Sequence, residues 1–178
     1  SGLYDRFIER SDRNVLVNSS ISIHERVNAG GKKRAALAFT YKIAAEIGNL
    51  GDNIKFLRRQ VAGDLILHKL ISFSHLYHTA LAHTRWASMG VISEPNCHPV
   101  DNRTLNNPGE KRGIIHICLN GDIDNYMDLK SKYEAAGGLI EGDITKDTKI
   151  IPLWIERDMQ EGFSVGECCR LARDACDG

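Results

Sequence analysis

The sequence predicts one domain that mixes β-strands and α-helices, and three observations support this. The chain has 178 residues, 42% of them hydrophobic, which suits a single domain with a sizeable core. Gly113–Leu119 is a continuous apolar run bounded by turn residues, as is typical of a buried strand. Asn125–Ala136 has the pattern of an amphipathic helix, and Gly137 and Gly138 follow it as a stop signal. No linker, repeat or low-complexity segment interrupts this pattern.

Several elements are expected in the first 70 residues. Ser20–Asn28 has a weak helical periodicity, so we predict a short helix that ends before Gly30. Ala35–Ile43 alternates enough to predict a strand. Asp52 follows a glycine-bounded turn and is a candidate N-cap for the next helix. Its helical pattern is broken at Gly63, and its apolar stripe, expected to lie in the core, consists of Ile54, Leu57, Val61, Leu65 and Leu67.

The later elements are predicted from short local signals. Thr79–His83 is short and apolar, so a buried strand is expected there. Val100–Arg112 is polar and contains a strong turn signal, which predicts a loop. Thr148–Gln160 is predicted to be a helix. Ser164 and Glu167 have the spacing of a capping box, which predicts a last helix through residue 175.

The composition argues against several classes of partner and cofactor. Basic and acidic residues each number 23, so a neutral chain carries no electrostatic footprint for nucleic acid or an anionic membrane surface. No apolar run is long enough to span a membrane, and no signal-peptide pattern is present. Five scattered cysteines form no disulfide framework, and neither cysteines nor histidines have the spacing of a metal site. We expect a soluble, cytoplasmic protein without a metal or cofactor.

The most informative stretch is Ala82–Pro99. An apolar run that ends at Leu81 leads to Arg85 and Trp86, followed by a glycine and a proline-bounded polar loop. An arginine in this place can hold a carboxylate through two parallel hydrogen bonds, and Trp86 would form a wall of the pocket. The alternative is a surface arginine whose stem covers a core tryptophan. Taken alone, the Arg-Trp pair favours that alternative.

Asn120 and Gly121 follow the strand predicted at Gly113–Leu119. An amide side chain and an unhindered backbone N–H are the two donors that stabilise the oxyanion of an acyl-transfer intermediate. The structural alternative is a tight turn, the ordinary role of an Asn-Gly pair. In isolation the pair favours the turn.

Three segments together resemble the class II glutamine amidotransferases, specifically the glucosamine-6-phosphate synthase type. His83–Ala87 reads His-Thr-Arg-Trp-Ala, and Gly90, a serine, an asparagine and the pair His98–Pro99 follow in the family's order. Asn120–Tyr126 resembles the family's Asn-Gly-Ile-Ile-Glu-Asn-Tyr. Thr145–Ile150 resembles its Thr-Asp-Thr-Glu followed by an apolar residue. The match is strong between residues 82 and 151 and weak before them.

The resemblance implies that Ser1 stands where the family has its N-terminal cysteine nucleophile. In the family that residue's own α-amine, with an unperturbed pKa of about 7.7 to 8.0, acts as the base. A serine hydroxyl is the weaker nucleophile at neutral pH, so hydrolysis is expected to be slowed while binding survives. Three origins of Ser1 stay open: an engineered or natural replacement, a tag remnant, or missing upstream residues.

The resemblance also implies a site for L-glutamine. Arg85 would bind its α-carboxylate and Asp147 its α-ammonium, while Trp86 and Ser88 would shape the channel for its side chain. The alternative role of Asp147 is the N-cap of the helix that follows, and both roles can coexist.

The implied reaction begins with attack of Ser1 on the side-chain amide of glutamine. Asn120 and Gly121 would hold the resulting oxyanion, ammonia would leave, and water would resolve the glutamyl-enzyme to glutamate. The ammonia would pass to an acceptor such as fructose 6-phosphate, bound by a sugar-phosphate domain outside this chain. No cofactor is implied, and a homo-oligomer is one of the assembly states left open.

The implied fold is of the α+β class, the four-layer α/β/β/α sandwich of N-terminal nucleophile hydrolases. Residues 1–178 would form the front part of that amidotransferase domain. Leu119 replaces a family histidine, Lys149 replaces a glutamate, and Gly30–Arg34 stands in place of the family's Arg-Gly-Tyr-Asp-Ser. With Ser1, these departures motivate an alternative in which the domain binds glutamine without hydrolysing it or is a degenerate remnant.

Overall fold

A computed structural model describes residues 21–27, 30–44, 51–75, 77–84, 92–104, 115–140, 142 and 144–178. Its strands are β1 (Ile21–Val27), β2 (Lys33–Phe39), β3 (Val100–Asp101) and β4 (His116–Ile117). Its α-helices are α1 (Asp52–Gly63), α2 (Leu65–Ile71), α3 (Tyr126–Ala135), α4 (Ile150–Gln160) and α5 (Val165–Ala175). A 3₁₀ turn, Asp147–Lys149, leads directly into α4. These ranges mix strands and helices, while the four-layer sandwich stays a prediction.

β1 and β2 form an antiparallel hairpin in which Ile21 lies opposite Phe39 and Val27 lies opposite Lys33. The helix predicted at Ser20–Asn28 is therefore wrong. The β-branched residues of this segment lie at odd-numbered positions, and a spacing of two is typical of a strand. Pairing with β2 also supplies the hydrogen bonds that a short, weak helix would lack. The strand predicted at Ala35–Ile43 is confirmed, although β2 begins two residues earlier and ends at Phe39.

β3 and β4 form a second antiparallel pair, with Val100 opposite Ile117 and Asp101 opposite His116. β4 confirms a strand within Gly113–Leu119, of which residues 113 and 114 lie outside the described residues. The loop predicted from Val100 is wrong at its first two residues, because Val100 is buried against the core and pairs with β4.

The buried strand predicted at Thr79–His83 is also wrong. These residues have no regular secondary structure, and all but the half-buried His83 are exposed. Leu81, for example, is 57% exposed. A short apolar run becomes a strand only where a partner strand and an apolar surface receive it, and the described strands pair only as β1 with β2 and β3 with β4.

The helices α1 and α2 meet at Asp64. α1 is preceded by Gly51, whose φ of 91° favours glycine, so Asp52 is its first residue rather than its cap. α1 ends at Gly63 as predicted, and the Asp64 carboxylate caps α2 by accepting hydrogen bonds from the backbone N–H groups of Ile66 and Leu67. The predicted core role of the stripe is wrong, since none of its five residues is buried.

The later helices follow the sequence signals closely. α3 ends where predicted, because Gly137 has a φ of 87° and the Gly138 N–H donates to the carbonyl of Tyr133. The capping box is confirmed: Ser164 and Glu167 exchange hydrogen bonds at the start of α5, which ends at Ala175.

The core lies around α4. Its larger cluster packs α4 against α3 and the segments flanking α3, and its buried members are Ile123, Leu129, Ile140, Ile150 and Leu153. A smaller cluster packs the far side of α4 against α5 through Ile155, Cys168 and Ala172. This core supports two segments that bear on function, the loop after β4 and the turn before α4.

The residues after α5 return to the start of α3. Asn125 donates from its side-chain nitrogen to the carbonyl of Ala175 at 2.8 Å and accepts from the Asp177 N–H at 3.2 Å. The Asp124 N–H donates to the carbonyl of Asp177 at 2.7 Å. The C-terminal residues are thereby tied to the loop after β4.

No helix within the described ranges has the length and apolar character needed to cross a membrane. No cluster of histidine, cysteine, aspartate or glutamate in the described part of the chain could hold a metal ion. The five cysteines all carry free thiols, as their scattered positions predicted.

Candidate functional site

The structure describes part of the predicted site. Asn120, Gly121 and Asp147 belong to the described ranges. The other predicted residues lie outside the described residues: Ser1, Arg85, Trp86 and Ser88. The convergence of Arg85 and Asp147 on one amino acid therefore stays a prediction.

Asp147 connects the two segments that the core supports. Its Oδ2 accepts a hydrogen bond from the Ile123 N–H at 2.7 Å, across 24 residues of sequence. Its Oδ1 accepts from the Thr148 N–H at 2.8 Å and from the Thr148 hydroxyl at 3.3 Å. Because Ile123 follows Gly121 by two residues, the predicted oxyanion loop and the predicted ammonium acceptor are joined through the backbone.

The helix start differs by one residue from the predicted N-cap arrangement. Asp147 lies inside the first turn, and Lys146, in an extended conformation, is the residue that precedes it. The carboxylate still accepts the Thr148 N–H, and a negative charge in the first turn of a helix is favourable. Asp147 thus anchors the start of the α4 segment from within.

The Asp147 carboxylate is ionised at neutral pH. Burial raises its pKa, but hydrogen bonds from Lys146 and from the backbone N–H groups of Ile123 and Thr148 outweigh that effect, so the pKa lies below the usual value of an aspartate. A carboxylate that stays charged in a half-buried position is suited to binding a cationic group.

Asn96 holds the segment before Asp147 in place. Its side chain is fully buried, and its Oδ1 accepts from the N–H groups of Thr145 at 2.8 Å and Lys146 at 3.0 Å. Its side-chain nitrogen donates to the Ser93 hydroxyl at 2.7 Å. This positioning residue was not among the predicted site residues, although it lies in the motif that carries the family resemblance.

A cavity of about 370 Å³ lies beside Asp147. Its charged lining residues are Asp122, Asp124, Asp147 and Lys146, and Tyr126 also contributes. Three carboxylates against one ammonium give the lining an excess of negative charge. The cavity therefore favours a ligand with a positively charged group.

Lys146 lies between two of these carboxylates. Its Nζ is 3.0 Å from Asp147 Oδ1 and 3.8 Å from Asp122 Oδ1, and only 9% of its side chain is exposed. No sequence signal distinguished this lysine, because a lysine beside an aspartate is ordinarily a solvated surface residue.

Two departures from the family pattern are accommodated inside the fold. Lys149 is buried, donates from Nζ to the Arg103 carbonyl at 2.6 Å, and lies 3.5 Å from Asp101 Oδ1. Leu119, which replaces a histidine, is half-buried and packs against the larger core cluster. Asn120 and Gly121 follow it and are exposed, so the predicted oxyanion donors are accessible.

Comparison with known proteins finds isomerizing glutamine–fructose-6-phosphate aminotransferases among the relatives of this chain. No family model matches the chain. The chain is 33% identical over 131 residues to the isomerizing glutamine–fructose-6-phosphate aminotransferase of Sulfolobus acidocaldarius, covering 71% of this chain and 20% of the relative. It is 28% identical over 172 residues to the aminotransferase of the same name from Shouchella clausii, and the match covers 97% of this chain and 25% of the relative. It is 33% identical over 85 residues to the aminotransferase of the same name from Methanothermobacter thermautotrophicus, and the match covers 48% of this chain and 13% of the relative.

These matches confirm the resemblance made from the motifs. The chain is related to the glutamine amidotransferases, the class that the Arg-Trp, Asn-Gly and Asp-Thr segments indicated. Within that class, isomerizing glutamine–fructose-6-phosphate aminotransferases are among the proteins that it is similar to. The chain spans only between 13% and 25% of the length of the three relatives compared above.

Proposed function

We propose that the chain binds L-glutamine and hydrolyses its side-chain amide, releasing ammonia for an acceptor such as fructose 6-phosphate. The observation that carries this proposal is the similarity to a glutamine–fructose-6-phosphate aminotransferase over 97% of the chain. The acceptor would be bound by residues outside this chain. The reaction needs no cofactor, and we assign it to the cytoplasm.

The geometry around Asp147 supports the binding half of this proposal. A glutamine α-ammonium placed in the cavity would meet an ionised Asp147 carboxylate in a site with excess negative charge. Arg85 would take the α-carboxylate, and Trp86 and Ser88 would line the side-chain channel. Two opposite fixed charges are what a zwitterionic amino acid requires.

The chemical half rests on Ser1, Asn120 and Gly121. Where Ser1 carries a free amino terminus, its α-amine would take the hydroxyl proton as Oγ bonds to the amide carbon of glutamine, and the carbonyl oxygen would become an oxyanion. Asn120 and the Gly121 N–H stabilise that charge. Collapse breaks the C–N bond, the proton passes to the departing ammonia, and water then cleaves the glutamyl ester to glutamate.

A second candidate function is glutamine binding without hydrolysis. Leu119 favours it, because an apolar side chain packed into the core stands beside the oxyanion loop where the family has a polar one. Ser1 favours it as well, since the hydroxyl is the weaker nucleophile. Such a domain would sense glutamine rather than consume it.

The test combines glutamine titration by calorimetry with an assay for released glutamate. We expect the unmodified chain to bind glutamine and release glutamate slowly, and a Ser1→Cys variant with a free amino terminus to release it at least about tenfold faster. Asp147→Asn should weaken glutamine binding by about threefold, because the ammonium loses its counter-charge while the competing Lys146 pair is lost as well. The matched control is Asp128→Asn, an exposed carboxylate in the first turn of α3, which should bind normally.

Three outcomes separate the candidates. Glutamate release that appears only with Ser1→Cys supports a competent scaffold that lacks its best nucleophile. Binding without release in both forms supports the sensing function. A Ser1→Cys variant that neither binds nor hydrolyses glutamine contradicts both.

A further inference from the structure

The side chain of Lys146 occupies the position that a bound ammonium group would need. Its Nζ lies 3.0 Å from Asp147 Oδ1, the distance of a charge-assisted hydrogen bond, and the side chain is 9% exposed. A buried lysine is unusual unless it is paired, and here the pairing uses the carboxylate assigned to the ligand.

Donors already crowd the Oδ1 atom of Asp147, whereas Oδ2 accepts a single described hydrogen bond. An ionised carboxylate offers about four lone-pair directions. Four donors approach it: the Ile123 N–H at Oδ2, and the Thr148 N–H, the Thr148 hydroxyl and the Lys146 ammonium at Oδ1. The first three come from the turn itself and from the loop after β4, so Lys146 is the donor at Oδ1 that a ligand can replace.

Lys146 also has a second carboxylate within reach. Asp122 Oδ1 lies 3.8 Å from its Nζ, and the Asp122 side chain is 51% exposed at the cavity lining. The backbone of Lys146 is fixed because its N–H donates to the buried Asn96 side chain. A rotation of the Lys146 side chain toward Asp122 would therefore free Asp147 without disturbing the turn.

We propose that Lys146 is a specificity-determining residue that competes with the ligand's α-ammonium for Asp147. The amino acid binds when the Lys146 ammonium moves to Asp122, and the energy of breaking the internal pair lowers the affinity for ligands that carry an amino group. This inference rests on the proposed glutamine site.

The test compares two ligands that differ only in the amino group. Calorimetric titrations use L-glutamine and 5-amino-5-oxopentanoic acid, which is glutamine without its α-amino group. In the unmodified chain we expect their affinities to differ by less than about fivefold, because the internal ammonium already neutralises Asp147. In Lys146→Met, which keeps the length of the side chain but not its charge, glutamine should bind at least about tenfold tighter and the deaminated ligand should be unchanged.

Two further variants serve as controls. Lys146→Arg keeps the charge and should retain weak glutamine binding. Lys130→Met removes a lysine that pairs with Glu134 on α3 at 3.8 Å, so it should leave both affinities unchanged.

The outcomes distinguish this inference from the proposed function. Glutamine binding that is no tighter in Lys146→Met overturns the competition and leaves the glutamine site standing. An equal gain for both ligands also overturns it, because the lysine would then act on cavity shape rather than on the amino group. If Lys146→Met fails to fold, the unmodified chain decides alone. An affinity for glutamine that exceeds the affinity for the deaminated ligand by more than about tenfold then overturns the competition. Absence of glutamine binding in every form overturns the proposed function and this inference together.

Discussion

In the helix pairs α1–α2 and α4–α5 the second helix begins with a comparable local signal, and the two pairs differ in what they bury. Asp64 caps α2 and Ser164 caps α5, each through side-chain acceptance of backbone N–H groups. In α1–α2 only Ile66 is buried, whereas α4 and α5 together supply five of the eight buried members of the two core clusters. Caps therefore determine where these helices begin, and burial determines which of them the rest of the fold depends on.

The difference has a consequence for local stability. Helices with few buried apolar contacts open without global unfolding, while those in the core open only with it. α4 contacts both core clusters and leads directly from the turn that carries Asp147. The candidate site is thus attached to the more stable pair.

The largest expected effect on stability is found by replacing one leucine with alanine in each helix pair and comparing the two losses. Leu153→Ala in α4, where the side chain is 1% exposed, should lower the free energy of unfolding by about 3 kcal/mol through lost burial and a cavity. Leu65→Ala in α2, where the side chain is 81% exposed, should change it by less than about 0.5 kcal/mol. Urea unfolding measures both, and equal losses would contradict the difference between the pairs.

The next effect concerns the connection between Asn96 and the turn before α4. Asn96→Ala should cost about 2 kcal/mol, because the Thr145 and Lys146 N–H groups lose their acceptor in a buried place. Hydrogen exchange should rise at residues 145–149 and stay unchanged in α1. Asn120→Ala, at an exposed position, is the matched control for stability. A uniform rise across the chain would argue that Asn96 supports the whole fold rather than this segment.

Removal of a capping side chain should have a smaller effect on stability, and the effect should differ between the two helix pairs. Asp64→Ala and Ser164→Ala should each destabilise their own helix by about 1 kcal/mol. Because α5 belongs to the core, Ser164→Ala should lower the urea midpoint, whereas Asp64→Ala should mainly raise hydrogen exchange within α2. The reverse pattern would show that α1–α2 carries more of the stability than its exposure indicates.

The smallest effect is the pH dependence of the stability that the Asp147 charge contributes. The folded pKa of Asp147 lies below its ordinary value of 3.8, so its charged form contributes stability above that pH, and the contribution is lost as the pH falls through the lower folded pKa. Asp147→Asn should therefore be less stable than the unmodified chain near pH 6, and the gap should close below pH 3.8. A gap that is constant with pH would show that the charge contributes nothing.

The sequence predicted elements well where the signal is local. α3, with its glycine stop, and α5, with its capping box, depend on residues three or four positions apart. Sequence reasoning failed at two segments where the presence or absence of a partner strand decides the structure. Ile21–Val27 became a strand because β2 pairs with it, and Thr79–His83 did not become one because no described strand receives it.

The candidate site shows the same limit. Asp147 could be predicted from its short motif, but its bond to the Ile123 N–H spans 24 residues and the bond from Asn96 to Thr145 spans 49. Lys146 carried no signal, because its significance comes from burial between two carboxylates rather than from its neighbours in sequence.

The return of the C-terminal residues to the loop after β4 offers a way to watch the cavity. Asp177 and Ala175 are hydrogen-bonded to Asp124 and Asn125, directly beside the cavity lining. The backbone that carries a fluorophore or spin label at residue 177 would be hydrogen-bonded to that loop. Occupancy of the cavity could then be followed optically or by resonance from a position that touches none of the residues assigned to glutamine.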